Sequence, residues 1–305
     1  MSMVKNKVPK ISNSFDKFST KRVSYILITK NRDRLLEKTL NKAKNWVTKN
    51  DELIIVDGGS TDKTISVIKK YSKLVDKFIS EKDSMPSHAG NKGILISHGK
   101  YIKMLTDDDI IYPNAMAKAI EVMERSPEID ILECGGTRYR KATKKWETIY
   151  RPPGSNYPKD IDDAFKVGIN VMGLVIRRSS LSKIGLFPLN LLTDSLFLVN
   201  ALKNGAIVKF ARIKLYHQTI YRFSINQARR DDLEQLFFKA VKEHASRGYY
   251  YRFAFNWFVQ NNPYMKVLIL PLIVPLRIYR NIQNNFSKEK KSEKIRRNTW
   301  DEGFS

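Results

Sequence analysis

Between residues 23 and 125, short apolar runs alternate with helical periodicity, and polar residues follow each run at once. Residues 23–29 (VSYILIT), 52–56 (ELIIV), 75–79 and 101–105 have the length and β-branched content of buried strands. Between them, residues 33–47 bring Leu36, Leu40, Ala43 and Val47 to one helical face. Thr61 or Asp62 can cap a second helix that turns Ile65 and Ile68 inward. Residues 88–97 read as a third helix stopped by Gly99, and Pro113 opens a fourth, in which Met116, Ala119, Ile120 and Met123 form one stripe. Such alternation with short connections predicts an α/β fold: a mainly parallel sheet flanked by helices. Ligands of such sheets lie beyond the carboxyl ends of the strands. Four polar clusters, 29–32, 57–61, 81–91 and 107–109, share that edge.

The pattern loosens after residue 135. Residues 141–162, polar and rich in proline, read as a long loop. A strand is expected over 171–178, then a short helix over 179–184 stopped by Gly185. A helix over 193–204 ends at Gly205, and a strand follows over 206–212. Residues 231–245 form an amphipathic helix through Leu233, Leu236, Phe237, Ala240, Val241 and His244. The domain reading is a flexible basic leader (1–22), an α/β domain (23–228), a C-terminal helical region (229–286) and a charged tail expected to be disordered (287–305).

Apolar residues make up 42% of the 305, enough for a sizeable core, which excludes a disordered polyelectrolyte. The apolar runs fall short of the roughly 18 residues of a membrane span. Cys134 is the single cysteine, so an internal disulfide and a cysteine-based zinc finger are excluded. The first residues carry no apolar core of a secretory signal, and an intracellular chain is expected. The formal net charge is +24, from 55 Lys and Arg against 31 Asp and Glu. Polyanionic partners fit that balance: nucleic acid, an anionic membrane surface or phosphorylated substrates.

Against that trend, Asp107, Asp108 and Asp109 stand side by side directly after a strand. Three adjacent carboxylates repel unless water or a cation neutralises them, and a strand end suits a hard divalent ion. A solvated acidic turn with a helix cap is the plainer alternative. Asp57 closes the second strand within DGGSTDKT, whose paired glycines allow close backbone approach to a ligand. An ordinary βα turn has the same composition. The segment is neither a P-loop nor a G-x-G-x-x-G loop, which counts against P-loop enzymes and dinucleotide dehydrogenases.

Five segments together carry a resemblance: IVDGGSTDKT, SEKDSMPSHAGNKGI, HGKYIKMLTDDDIIYP, NVMGLVIRRSSLSKIGLF and LLTDSLFLVNALKNGAIV. In this order and spacing the chain resembles a family 2 glycosyltransferase with the GT-A nucleotide-sugar-binding fold, from about residue 23 to about residue 224. The resemblance implies that Thr29 and Asn31 border the nucleotide, that Asp57 bonds its base, and that Asn91 helps close the pocket. Asp107, Asp108 and Asp109 stand at the family's metal motif, with Thr106 in the usual first-Asp position. Asp108 is then the leading ligand of a divalent Mg or Mn ion, joined by Asp109, with His217 a further metal ligand or a diphosphate contact, and Asp107 borders the donor. Asp194 aligns with the general base of an inverting transfer, although Thr193 replaces the usual preceding Glu. A helix cap is the structural alternative for Asp194. Arg222 and Ser224 would meet the donor's diphosphate, and Glu81 and Asp83 would order the loop.

The implied partners are a nucleotide-diphosphate sugar donor and a glycan or lipid-linked acceptor of cell-surface polysaccharide, glycolipid or glycoprotein synthesis. The ten apolar residues 267–276, with Lys266, Arg277 and Arg280 beside them, would lie in an anionic membrane surface at the inner face of the cell membrane, or else pack in a core. Two other classes stay open. A basic nucleic-acid-binding protein accounts for the charge and the aromatic-basic run 249–258, but not for three aspartates at a strand end. A catalytically inactive nucleotide-sugar-binding relative is consistent with Thr106 and Thr193.

Overall fold

The computed structural model describes residues 21–141, 143–149, 158, 160–220 and 230–261. Four parallel strands form the first half of its sheet: β1 (Val23–Thr29), β2 (Glu52–Asp57), β3 (Lys77–Ser80) and β4 (Tyr101–Thr106), in the order β3-β2-β1-β4. Crossover helices join them: α1 (Asp33–Ala43), α2 (Thr64–Lys70) and α3 (Pro86–Leu95). Alternation decides which side each strand residue serves. Tyr25, Leu27, Leu53, Ile55, Tyr101 and Leu105 enter one core with Leu36, Leu40 and Ala43 of α1. On the other face α3 lies close to the sheet because Gly93 has no side chain; a Cβ there would collide with Ile26. Truncating a fully buried member such as Leu40 to Ala would cost about 2–5 kcal/mol.

The second half is mixed. The two-residue β5 (Ile110–Ile111) leads into α4 (Pro113–Arg125), which begins at the expected proline and buries Met116, Ala119, Ile120 and Met123. Then come β6 (Ile131–Arg140), β7 (Lys145–Ile149), α5 (Ile161–Val167), β8 (Leu174–Arg177), α6 (Leu181–Ile184), α7 (Thr193–Lys203), β9 (Val208–Ile220) and α8 (Arg230–His244). Order continues β4-β8-β6-β9-β5; β8 is antiparallel to β4 and β6, and β6 runs parallel to β9. The chain divides after Ser246, so α8 belongs with the sheet. The following α9 (Arg247–Asn261) lies in a separate unit.

Three local expectations need correction. The third strand starts at Lys77, not Val75, because Leu74 and Val75 donate to the Tyr71 carbonyl in a turn that closes α2. The expected loop 141–162 contains β7, a hairpin partner of β6 in which Trp146 stacks on Tyr139. The strand expected over 206–212 runs on to Ile220, pairing with β5 and the far half of β6.

Candidate functional site

Sheet register aligns the ends of the parallel strands: Thr29 pairs with Asp57, Asp57 with Ser80, and Ile28 with Thr106. The polar residues after these strands therefore share one rim.

Asp57 is fully buried, and its carboxylate is claimed by its own turn. Oδ2 accepts from Gly59 N (3.1 Å), Ser60 N (2.9 Å) and Ser80 Oγ (2.7 Å), while Oδ1 accepts from the Ser60 hydroxyl. Gly59 has φ +80°, a conformation that favours glycine. Asn31 also has positive φ (51°), and its Oδ1 accepts from Thr61 N at 2.8 Å, tying the β1 turn to the β2 turn.

Thr29 donates to Asp107 Oδ2 at 2.8 Å, Thr39 of α1 donates to the Asp107 carbonyl at 2.7 Å, and the Arg32 guanidinium stands 3.9 Å from Oδ1. Burial nevertheless raises the Asp107 pKa to about 6. Thr106 is the hub of the cluster. Its amide donates to Asp109 Oδ2 (2.8 Å), and its hydroxyl lies against both Asp108 Oδ1 (2.8 Å) and Asp109 Oδ2. A hydroxyl carries one proton and cannot donate to both. Burial lifts the Asp109 pKa to about 7. Asp109 Oδ1 is buried with no hydrogen-bond partner, and Asp108 is half-buried. Mg2+ or Mn2+ typically takes one or two carboxylates plus phosphate and water oxygens. Asp108 and the bare Asp109 oxygen fit that demand, while no group of three or more metal-ligating side chains converges among the described residues.

His217 pairs with Ile110, one residue beyond Asp109. Its ring nitrogens face the Thr137 (3.0 Å) and Thr219 (3.5 Å) hydroxyls, its ring stacks on Trp146, and burial lowers its pKa. Asn91 is buried at the other side of the rim. Its amide donates to the Phe187 carbonyl (2.8 Å) and accepts from Phe187 N (3.0 Å), so it clamps the segment leading to α7. Glu81 pairs with Lys92 at 2.7 Å, and Asp83 lies against Gly58.

Asp194 sits in the first turn of α7, and no hydrogen bond to its carboxylate is found among the described residues. Burial alone raises its pKa to about 6. It lines a cavity of about 490 Å³ whose walls include Ile28 and Thr106 at the strand ends, Met85 to Ser87, the 169–172 turn and Leu233. Thr106, which lines this cavity along with Asp194, also touches Asp108 and Asp109.

Sequence reasoning did not find Thr106 as a hub, Thr39 as a brace, or Lys103. Lys103 is fully buried in β4, where its ammonium donates to the Met172 carbonyl and burial lowers its pKa to about 8. A lysine amid YIKML was the available signal. Arg222, Ser224, the apolar run 267–276, nearly all of the leader and the whole tail lie outside the described residues. No described helix is long and apolar enough to cross a membrane.

A family model described as Glycosyl transferase family 2 matches residues 24–185. An uncharacterized glycosyltransferase of Rickettsia typhi is 29% identical over 140 residues, 45% of this chain and 43% of that protein. An uncharacterized glycosyltransferase of Escherichia coli, YibD, is 28% identical over 101 residues, 32% of this chain and 29% of the relative. The matched stretches span less than half the length of these relatives. Among solved structures, S. aureus TarS 1–349 in complex with UDP-GlcNAc superposes with a TM-score of 0.55 at 17% identity, over 74% of this chain and 68% of that one. The mannosyltransferase PcManGT from Pyrobaculum calidifontis, in complex with GDP-Man and Mn2+, gives 0.57 at 18% identity, over 74% and 65%. These likenesses show the fold, which is the GT-A arrangement expected from the sequence.

Proposed function

Because the chain belongs to glycosyl transferase family 2, we propose that it is a metal-dependent inverting glycosyltransferase. It moves a sugar from a nucleotide-diphosphate donor to a glycan or lipid-linked acceptor of cell-surface glycan synthesis. The observation that carries this reading is the Asp194 carboxylate, desolvated and with no hydrogen-bond partner among the described residues, on a cavity that reaches Thr106 of the aspartate rim. A group with a pKa of about 6 is mostly ionised at neutral pH yet basic enough to take a proton from an acceptor hydroxyl. Attack from the cavity side, with the diphosphate leaving toward the rim, inverts the anomeric centre.

The turns at Asn31 and Asp57 hold the nucleotide, and the Asp57 carboxylate reaches a base once the Ser60 hydroxyl turns from Oδ1. Asp108, with Asp109 Oδ1 beside it, would hold a divalent ion, which would supply charge stabilisation to the departing diphosphate. Thr106 and Thr29 keep these carboxylates aimed, so the geometry is set before substrate arrives. Asn91 acts through Phe187, fixing the segment that leads to the base, and Arg222 contacts the diphosphate. His217 sits too well engaged by Thr137, Thr219 and Trp146 to serve readily as a ligand.

Contact with an anionic membrane surface is supported by α9, which exposes Tyr251, Phe255 and Phe258 at helical spacing beside Arg247 and Arg252, with no acidic residue. The reading is tested by incubating the chain with a panel of nucleotide sugars, with and without Mn2+, and measuring nucleotide release and calorimetric binding. Metal-dependent binding with slow hydrolysis is expected. Tight, salt-sensitive binding of single-stranded nucleic acid with no nucleotide-sugar binding would overturn it.

A further inference from the structure

We infer that Lys103 and Glu133 are positioning residues. From the two strands beside β8 they bracket the turn that enters it, and so set the wall that this turn gives to the Asp194 cavity. The inference deepens the glycosyltransferase reading and rests on it. The bracket lies where two hydrogen-bond ladders stop. Strand β8 pairs with β4 at Tyr101 and Ile102, and with β6 from Ile131 to Glu133. The next residue of β4 is Lys103, whose ammonium donates to the Met172 carbonyl in the short helical turn Val171–Gly173. On the other flank Glu133, the last β6 residue paired with β8, accepts from Asn170 N at 3.1 Å. Charged side chains thus take over from the backbone on both sides of one turn. Past the end of the β4 ladder, Met104 and Thr106 of β4 and residues 169–172 of the turn line the same cavity as Asp194.

The turn is also closed from within. Asn170 Oδ1 accepts from Met172 N (3.0 Å), and the Asn170 carbonyl accepts from Gly173 N (2.8 Å). Gly173 lets the turn lie directly on β6, because a Cβ there would collide with the Cys134 carbonyl oxygen. Lys103 and Glu133 are both buried, and apolar residues of similar volume would fill their places at less cost in desolvation. Apolar residues would supply neither a donor for the Met172 carbonyl nor an acceptor for the Asn170 amide. Geometry is therefore what the two charges contribute. A turn gripped from both flanks holds the cavity in shape before a ligand arrives, and small displacements of positioning groups cost rate steeply. Both residues act through the turn rather than on the substrate.

Hydrogen exchange read by mass spectrometry, together with hydrolysis of UDP-glucose, UDP-N-acetylglucosamine and GDP-mannose in Mn2+, tests the bracket on the full chain. Lys103→Met keeps the volume and loses the donor. Glu133→Leu loses the acceptor, whereas Glu133→Gln keeps it. In Lys103→Met and Glu133→Leu, amides 170–174 should exchange about tenfold faster while those of β1 and β2 are unchanged. Nucleotide release by these two should fall about tenfold in kcat, with the donor KM within about twofold. Glu133→Gln should stay within about twofold of the unmodified chain in every reading. Should Lys103→Met fail to fold, Lys103→Met with Glu133→Gln, which removes both charges, should show the same local exchange. Three results overturn the inference: an unchanged turn in Lys103→Met, exchange that quickens evenly through β1, β2 and the turn, or Glu133→Gln behaving as Glu133→Leu does. If the unmodified chain hydrolyses no donor, the transferase reading falls, and the exchange measurement still decides the bracket.

Discussion

The rim and the cavity treat their carboxylates in opposite ways. On the rim, Asp57, Asp107, Asp108 and Asp109 are held by backbone amides and by the hydroxyls of Thr29, Ser60, Ser80 and Thr106. In the cavity, Asp194 is desolvated and has no hydrogen-bond partner among the described residues. Donors fix the geometry of the rim carboxylates, which suits an electrostatic framework, although burial raises Asp107 and Asp109 as it raises Asp194. A desolvated carboxylate left free keeps its basicity, which suits proton transfer. The contrast divides binding from turnover, and each part can be attacked separately.

The largest expected effect is on turnover. Asp194→Asn should lower transfer or hydrolysis by about 10²–10⁴-fold, measured under saturating donor. A loss of about tenfold or less would mean that the cavity carboxylate is not the base. Next comes the hub of the rim: Thr106→Val should weaken Mn2+-dependent nucleotide binding by about tenfold, as the loss of outer-sphere support does at metal sites. Unchanged binding would show that the aspartates hold their places without it.

Acidity acts on cavity and rim together, because Asp107 (about 6) and Asp109 (about 7) are raised as Asp194 is, and the Asp194 variant separates them. Because the base must be ionised, kcat/KM should rise with pH up to about 6 and level off above it, and this limb should vanish in residual Asp194→Asn activity. A smaller effect falls on stability. The folded-state pKa of Asp194 is raised above its unfolded value, so the native state favours the protonated form. Its contribution is fully present below the unfolded pKa of about 3.9 and is lost as pH rises through about 6. Asp194→Asn should therefore raise the melting temperature at pH 8, by about 1–3 kcal/mol of stability, and leave it almost unchanged at pH 3.5. An equal shift at both pH values would place the cause elsewhere. For the separate helical unit, Phe255→Ser with Phe258→Ser should lower sedimentation with anionic vesicles but not with neutral ones; an unchanged distribution would remove α9 as a membrane contact.

The parallel half of the fold was legible because its strands are buried on both faces and its helices carry clear stripes. Val23–Thr29 was bounded as the structure has it, and Pro113 opened α4 as expected. The mixed half was not. Strand β6 carries Gly135 and Gly136 at a register shift and ends in half-buried Thr-Arg-Tyr-Arg, so neither propensity nor alternation marks it. β7 is likewise charged and half-solvated, and the far half of β9 mixes the fully buried Leu215 and Tyr216 with half-buried polar residues. At the site, residue types at strand ends could be read in one dimension. The Asn91 clamp on Phe187, 96 residues away, and the shared Thr106 hydroxyl depend on pairings that no local pattern encodes.

Titrating UDP and GDP with Mn2+ into the unmodified chain, Asp108→Asn and Asp194→Asn compares the two regions in one experiment. Asp108→Asn should lose the Mn2+-dependent part of nucleotide affinity, while Asp194→Asn should stay within about twofold of the unmodified chain. Equal loss in both variants, or full metal-dependent affinity in Asp108→Asn, would contradict the division between a rim that binds and a cavity that reacts.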